Sequence, residues 1–381
     1  MSATTREMMS SAAPRDSWGH LRRLVVKLGS TTITSSSFEE LVEEIAGLTH
    51  RGVHVVLVTS GAVAAGMEVL GVDDRPSETS RAQALAAAGQ AELMSRYGRA
   101  FERFQLRCAQ LLLTHEDLSH RRHLLNIRHT LESVFGLGLV PVVNENDTVA
   151  TEELRFGDND RLAAAIGSVI DADLVVLLSD VDALYEADPR TDPEAKPIEE
   201  VSSIDDSIWS AAGVAGTGIG TGGMRSKIAA AELSTGAGVP LVVASGSEGA
   251  VLQRILGGER LGTLFSVSAE RMGRRRHWIG SLSKIAGTLV VDHGAVKALQ
   301  ETGSSLLAIG IQRSEGVNER GDSVVVLDPH GVEIGRGLVG YSSSDVERIA
   351  GHQRAEIMSV LGVSVAGPVI HRDDFVRTEH P

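Results

Sequence analysis

The chain is short of cysteine, proline, aromatic residues and positive charge: one Cys, ten Pro and 3% aromatics in 381 residues. A single thiol, Cys108, can form neither an internal disulfide nor a multi-cysteine metal site, so nothing points to an oxidising compartment. Ten prolines beside 41 glycines mean many tight turns and no proline-rich linker. With so few aromatics, core volume must come from Val, Leu, Ile and Ala. Long apolar runs are also missing. A membrane helix needs about 18 apolar residues, and the strongest window, 134–143, is interrupted by Gly136, Gly138 and Pro141. Residues 1–17 are small and polar without an apolar segment, which predicts a loose tail rather than a secretory signal. Without secretion, the glycosylation pattern Asn146-Asp147-Thr148 is empty and the expected location is cytoplasmic. Lys and Arg number 36 against 50 Asp and Glu, a net charge of −14 that repels phosphate backbones and argues against a nucleic-acid coat protein.

What is present is a 42% hydrophobic chain long enough for two domains. Short β-rich runs recur and end in polar residues: Leu24-Val25-Val26-Lys27, 53–60, 110–114, 139–144, 174–180 and 241–245. Unbroken apolarity marks strands covered on both faces. Helical stretches lie between them at 38–51, 80–104, 122–135, 160–171 and 226–235. This alternation predicts an α/β fold, a three-layer αβα sandwich with a mostly parallel sheet, whose ligands bind beyond the carboxyl ends of the strands. After about residue 270 the pattern changes to short β-like runs at 287–291, 305–311, 323–327 and 337–341, with short helices at 344–350 and 356–361. The expected organisation is a tail over 1–17, an α/β domain over 18–270, a linker over 271–284 containing Arg274-Arg275-Arg276, and a small mainly β barrel over 285–375.

Several strand ends carry candidate chemistry. Lys27 precedes Gly29-Ser30-Thr31-Thr32, a lysine followed by a turn offering backbone N–H groups and hydroxyls, either an anion site or a solvated lysine. Thr59-Ser60-Gly61-Ala62 repeats the arrangement, and glycine there permits close approach of a ligand or simply makes a turn. Asn144-Glu145-Asn146-Asp147 and Gly157-Asp158-Asn159-Asp160 offer amides and carboxylates that could hold an ammonium group and a carboxylate ligand, with Asp160 placed to orient lysines, or else helix caps. The spacing lacks the glycine and terminal glutamate of a calcium loop. Residues 216–223 hold five glycines in eight and lead through Met224-Arg225-Ser226 to Lys227, a pliable loop suited to cradling phosphates or else merely flexible. No apolar strand precedes it and no Gly-Lys Walker pattern occurs, so neither the dinucleotide fingerprint nor the P-loop fits. Ser179-Asp180 ends another strand; Tyr185 with Asp188-Pro189-Arg190 is a nucleotide wall or a plain turn. His120 and His123 share a helix face as a surface pair, and no Ser-His-Asp or Cys-His constellation stands out.

The segments Val25-Val26-Lys27-Leu28-Gly29-Ser30, 58–66, Val143-Asn144-Glu145-Asn146-Asp147, Gly157-Asp158-Asn159-Asp160 and Gly220-Thr221-Gly222-Gly223-Met224 together resemble the glutamate 5-kinases of the amino-acid kinase family. The resemblance extends over about 23–377 and includes a PUA-like C-terminal domain carrying Arg348-Ile349-Ala350-Gly351-His352 and Val369-Ile370-His371-Arg372-Asp373-Asp374. It implies that ATP phosphorylates the side-chain carboxylate of L-glutamate to L-glutamyl 5-phosphate, the first step of proline biosynthesis. The substrate carboxylate is then the nucleophile and no protein nucleophile is needed. The implied catalytic residues are Lys27, Lys227 and Asp160, the last orienting the lysines. Ser60, Asp147 and Asn159 are implied to bind glutamate. Lys27, Ser179, Asp180, Thr221, Gly222, Gly223, Met224, Arg225, Ser226 and Lys227 are implied to line the ATP site. Mg²⁺ is implied to ride on the phosphates without fixed protein ligands. Ser179 and Ser30 stand where relatives often carry Thr, and Arg225 where small polar residues are frequent. Proline as feedback inhibitor, a dimer or tetramer, and a glutamyl phosphate reductase as downstream partner are further expectations of the family. The rivals are other carboxylate or amino-acid kinases of the same fold and, in a different class, RNA binding through the PUA-like domain. Residues 281–381 hold nine Lys and Arg against thirteen Asp and Glu, a net of −4 that disfavours RNA.

Overall fold

Strands buried on both faces need apolar side chains at every position. The computed structural model places such strands at the centre of a large sheet. It describes residues 15–33, 35–150, 159–187, 189, 192, 194–212, 223–267, 283–362 and 367–378. The chain divides into two compact units: Met1–His115 with Asn126–Arg271, and Glu116–Leu125 with Met272–Pro381.

In chain order the first part runs β1 (Arg23–Leu28), α1 (Ser30–Ile33), α2 (Ser37–His50), β2 (His54–Thr59), α3 (Ala62–Leu70), α4 (Thr79–Glu102), β3 (Arg107–Leu113), α5 (His115–Ser119), α6 (Arg121–Gly136) and β4 (Leu139–Glu145). It continues through α7 (Asn159–Val169), β5 (Leu174–Ser179), β6 (Glu200–Val201), α8 (Asp206–Ala211), α9 (Met224–Gly236), β7 (Leu241–Ser245), α10 (Val251–Leu256) and β8 (Thr263–Phe265). The eight strands form one sheet in the order β3-β4-β2-β1-β5-β7-β8-β6. All pairings are parallel except β7 with β8, so the predicted mostly parallel sheet is present with one reversal. On one face Leu24, Val26 and Leu28 of β1 pack with Leu41 and Ile45 of α2 and with Leu93 and Phe101 of α4. Helix α7 packs on β1 and β5, and its residues 162–166 are wholly buried. Helix α3 is absent from the expectation, because its Ala-Val-Ala-Ala-Gly composition carries neither a polar face nor a capping side chain.

The second unit centres on a sheet ordered β10-β9-β11-β12-β13, comprising β9 (Ile285–Val291), β10 (Ile311–Gly316), β11 (Ser323–Leu327), β12 (Glu333–Val339) and β13 (Ile370–Arg377). Helices His293–Gln300, Ser343–Ile349 and Arg354–Leu361 accompany it, and Leu289, Val291, Val324, Val326, Ile349 and Phe375 share its core. Glu116–Leu125 belongs here: the Lys284 N–H donates to the Ser119 carbonyl at 3.2 Å, and Lys284 Nζ meets Glu116 Oε1 at 3.2 Å. The run at 305–311 is not the predicted strand. Ala308–Gly310 makes a turn of 3₁₀ helix there, and β10 begins only at Ile311. Among the described residues no helix is long and apolar enough to cross a membrane.

Candidate active site

The register of the central strands brings their carboxyl ends level, Lys27 lying beside Val58 of β2 and Leu177 of β5. Past that edge the chain turns sharply. The Gly29 N–H donates to the Leu178 carbonyl at 3.2 Å, and Gly61, at φ 95°, starts α3 with its Cα so close to Ser30 that an added Cβ would lie 3.6 Å from the Ser30 Cβ. Only glycine enters that left-handed conformation without strain, so Ser60 is turned back toward the end of β1.

Three charged side chains from three elements meet there. Lys27 Nζ of β1 lies 2.7 Å from Asp160 Oδ1, and Lys227 Nζ of α9 lies 3.0 Å from Asp160 Oδ2. Asp160 sits in the first turn of α7 with no exposure, and the lysines are 5% and 2% exposed. The triad's own charges sum to +1 in a place shielded from water. Burying charge is costly unless it is compensated. Two ammonium groups held together in this way can attract an anion.

Asn159, one residue earlier, joins the ends of β2 and β4. Its Nδ2 donates to the Thr59 carbonyl (2.6 Å), to Ser60 Oγ (3.0 Å) and to Asn144 Oδ1 (2.9 Å). Asn144 Oδ1 also accepts the Glu145 N–H at 2.9 Å. Asn144 Nδ2 and Asn159 Oδ1 are left buried without a hydrogen-bond partner among the described residues. Unpaired buried amides are rare, and these two are free to bond a water or a ligand. Asn144 belongs to the strand-end cluster whose amides and carboxylates the sequence offers to a ligand, although the family resemblance assigns it no role. Asp147 lies half-buried in the turn that follows β4, where the Val149 and Ala150 N–H groups both bond back to the Asn146 carbonyl.

On the other side, Ser179 ends β5 buried, its Oγ accepting from the Val181 N–H at 3.2 Å, while its carbonyl accepts the Gly246 N–H at 2.8 Å. Asp180 is exposed. Gly223 precedes α9, whose first residues are Met224, Arg225, Ser226 and Lys227. The Arg225 guanidinium lies 5.1 Å over the Trp209 ring and donates to the Trp209 carbonyl at 3.3 Å, so this unusual side chain turns outward against α8. Thr221 and Gly222, like most of the glycine-rich run and Asp158, lie outside the described residues. Of the supposed nucleotide wall, Tyr185 donates its hydroxyl to Asp182 at 2.8 Å and bridges Pro197, whereas Asp188 and Arg190 are outside the described residues. The exposed His123 pairs with Asp117 at 3.3 Å, and among the described residues no group of three or more His, Cys, Asp or Glu is arranged to hold a metal ion.

The structure thus gathers Lys27, Asp160 and Lys227 at one point and ties Ser60 to Asn159, with the unpaired amide atoms of Asn144 and Asn159 beside that bond. Comparison with known proteins agrees in both units. A model of the amino acid kinase family matches residues 22–245 and a PUA domain model matches 287–361. Curated proteins named glutamate 5-kinase from Citrifermentans bemidjiense, Chromohalobacter salexigens and Deinococcus radiodurans are each 45% identical to this chain. The alignments span 93%, 96% and 93% of this chain and 97%, 99% and 99% of the respective relatives. The chain belongs to the amino acid kinase family, among the glutamate 5-kinases that carry a PUA domain.

Proposed function

We propose that the chain transfers the γ-phosphoryl group of ATP to the side-chain carboxylate of L-glutamate, giving ADP and L-glutamyl 5-phosphate, the first step of proline biosynthesis. The observation that carries this reading is the buried Lys27–Asp160–Lys227 triad at the carboxyl edge of the sheet, beside the amides of Asn144 and Asn159. A carboxylate oxygen of glutamate forms the new bond to phosphorus. The bond from phosphorus to the β,γ-bridging oxygen breaks, and its electron pair leaves with ADP. Such a transfer needs position and charge neutralisation rather than a protein nucleophile. Lys27 and Lys227 meet the charge on the equatorial and leaving oxygens, and Asp160 holds both ammonium groups in place. Ser60, Asp147 and Asn159 hold glutamate. Ser179, Asp180 and the start of α9 flank the nucleotide, with Thr221 and Gly222 assigned to the same loop.

Mg²⁺ is typical of kinases and neutralises phosphate charge when bound. The carboxylate nearest the lysines does not suit it as a ligand, since both Asp160 oxygens face ammonium groups, so no step is assigned to protein-held metal. The kinase work is assigned to 18–270 and the PUA-like unit to 285–375. Proline inhibition, self-association as a dimer or tetramer, and hand-over of the labile acyl phosphate to a glutamyl phosphate reductase complete the proposal.

The test is direct. Purified chain is incubated with ATP, Mg²⁺ and glutamate, aspartate or N-acetylglutamate, with hydroxylamine present to trap acyl phosphate as the hydroxamate. Hydroxamate should appear with glutamate far above the other two. Equal or greater turnover of a rival acid would overturn the assignment. Added millimolar proline should inhibit, and insensitivity would remove that part alone.

A further inference from the structure

Helix α4 carries three polar side chains along one line. Gln83, Gln90 and Tyr97 are spaced by seven residues, which on an α-helix returns to within about 20° of the same direction, roughly 10 Å further along the axis. The two outer members have partners on either side of the amino-acid pocket. Gln83 Nε2 donates to the Ala150 carbonyl at 3.1 Å, closing the turn that contains Asp147. The Tyr97 hydroxyl, wholly buried, bonds with Thr59 Oγ1 at 2.8 Å, directly before Ser60. The helix is held against this site by backbone contact: a Cβ on Gly89 would come within 1.9 Å of the Ala62 carbonyl oxygen and 2.3 Å of the Gly66 nitrogen.

The middle member, Gln90, is different. Both Oε1 and Nε2 of its amide are shielded from solvent and neither has a hydrogen-bond partner among the described residues. An amide buried with neither donor nor acceptor used is unfavourable for the empty protein. Its line of projection lies between the Thr59–Ser60 strand end and the 146–150 turn, two segments that also neighbour each other through the β2–β4 pairing. At the same Thr59–Ser60 strand end lie the amides of Asn159 and Asn144, bonded to each other and leaving Asn144 Nδ2 and Asn159 Oδ1 unpaired among the described residues.

We infer that Gln90 binds the amino-acid head group of the substrate, Nε2 donating to the α-carboxylate and Oε1 accepting from the α-ammonium. This rests on the glutamate-kinase reading above and deepens it. The phosphoryl acceptor must point at Lys27 and Lys227, so the opposite end of a five-carbon amino acid extends away from the triad, toward the α4 side of the pocket. An amide suits that end because it is donor and acceptor at once and adds no charge. Gln90 therefore selects for the zwitterionic head and takes no part in the transfer itself.

Three variants of the full chain test it: Gln90→Ala, Gln90→Met, which keeps the volume without hydrogen bonding, and Gln90→Glu, which sets a carboxylate against the substrate's own. Loss of a bond to a charged group predicts a glutamate KM raised about 10- to 100-fold in Gln90→Ala and Gln90→Met. Gln90→Glu should be affected at least as strongly. The ATP KM should be unchanged, kcat at saturating glutamate should stay within about twofold, and the melting temperature of Gln90→Met should not fall, since an unpaired amide has been replaced by an apolar side chain of similar volume. The preference for glutamate over glutarate, which lacks the ammonium group, should shrink in Gln90→Ala and Gln90→Met, which can no longer accept a hydrogen bond from that ammonium. An unchanged glutamate KM in an active Gln90→Met overturns the inference. So does a joint rise of both KM values with a lowered melting temperature, which is the signature of packing. Wild-type chain inert toward glutamate but active on another acid overturns the glutamate-kinase reading and this inference with it, whereas active wild type with normal variants overturns this inference alone.

Discussion

At the level of single residues, the central fact is that Asp160 serves two lysines that are themselves almost wholly buried. Asp160→Ala leaves two ammonium groups out of water and close together, a loss on the order of 3–5 kcal/mol. Lys227→Ala keeps the Lys27–Asp160 pair, and its kcat should fall by about 10²–10³ through lost transition-state stabilisation. A thermal melt of Asp160→Ala checks the first and the hydroxamate assay of Lys227→Ala the second; a Lys227→Ala protein with normal kcat would remove Lys227 from the mechanism. Glu44 illustrates a buried charge without such a task. It caps α10 by accepting the Gln253 N–H at 2.7 Å. Burial, the dominant cause, raises its pKa against the opposing pull of the Gln253 and Leu252 N–H groups. The folded chain then binds a proton that the unfolded chain has released, so stability declines as pH rises from the usual carboxylate value toward the raised one. Glu44→Gln cannot ionise. Its melting temperature relative to wild type should climb as pH increases from 4 to 7, and a constant difference across that range would show that folding leaves the Glu44 pKa unshifted.

At the level of elements, the α3–α4 pair is packed against the strand end proposed to bind glutamate. Gly66 and Gly89 allow the two backbones to touch: a Cβ on Gly66 would sit 1.9 Å from the Leu85 carbonyl oxygen. Helix α3 starts right after Ser60-Gly61, so pushing the helices apart moves the strand end that Asn159 grips. Gly89→Ala should thus destabilise the chain by roughly 1–3 kcal/mol as an overpacking change and raise the glutamate KM more than the ATP KM. Melting and steady-state kinetics on the same preparation read both; a stable variant with unchanged glutamate KM would uncouple the pair from the site. This packing was invisible in the sequence, because a glycine in a helix reports low propensity and not what it touches. The strands were legible for the opposite reason. Leu24–Val26 and Val175–Leu178 must be apolar on both faces, and a run of Val and Leu says so directly. The charged and amide residues closing those strands marked the edge where Lys27, Asn159 and Asp160 meet. What stayed hidden was pairing across long separations, such as Tyr97 with Thr59 or Gln83 with Ala150, which depends on helix direction rather than on local pattern. The reversal at β8 was hidden likewise, a three-residue strand being too short to carry a period.

At the level of the whole molecule, the net charge of −14 sets a problem that the triad solves only at short range. ATP and glutamate are both anions, and the field of an acidic protein repels them until they reach the site. Within the site Lys27 and Lys227 are shielded from solvent, so counter-ions weaken their pull on a bound phosphate far less than they weaken exposed charges. Salt should therefore relieve the long-range repulsion and spare the short-range attraction, since the screening length shrinks from about 30 Å at 0.01 M to about 10 Å at 0.1 M. Raising monovalent salt across that interval should leave kcat/KM for ATP constant or increase it by up to about twofold, with kcat unaffected. A protein that gathers its substrate through a broad positive surface behaves in the opposite way, losing kcat/KM steeply over the same interval. A severalfold fall here would mean that a basic region outside the described residues steers the nucleotide, and 271–276, with Arg271, Arg274, Arg275 and Arg276, would be the first stretch to neutralise.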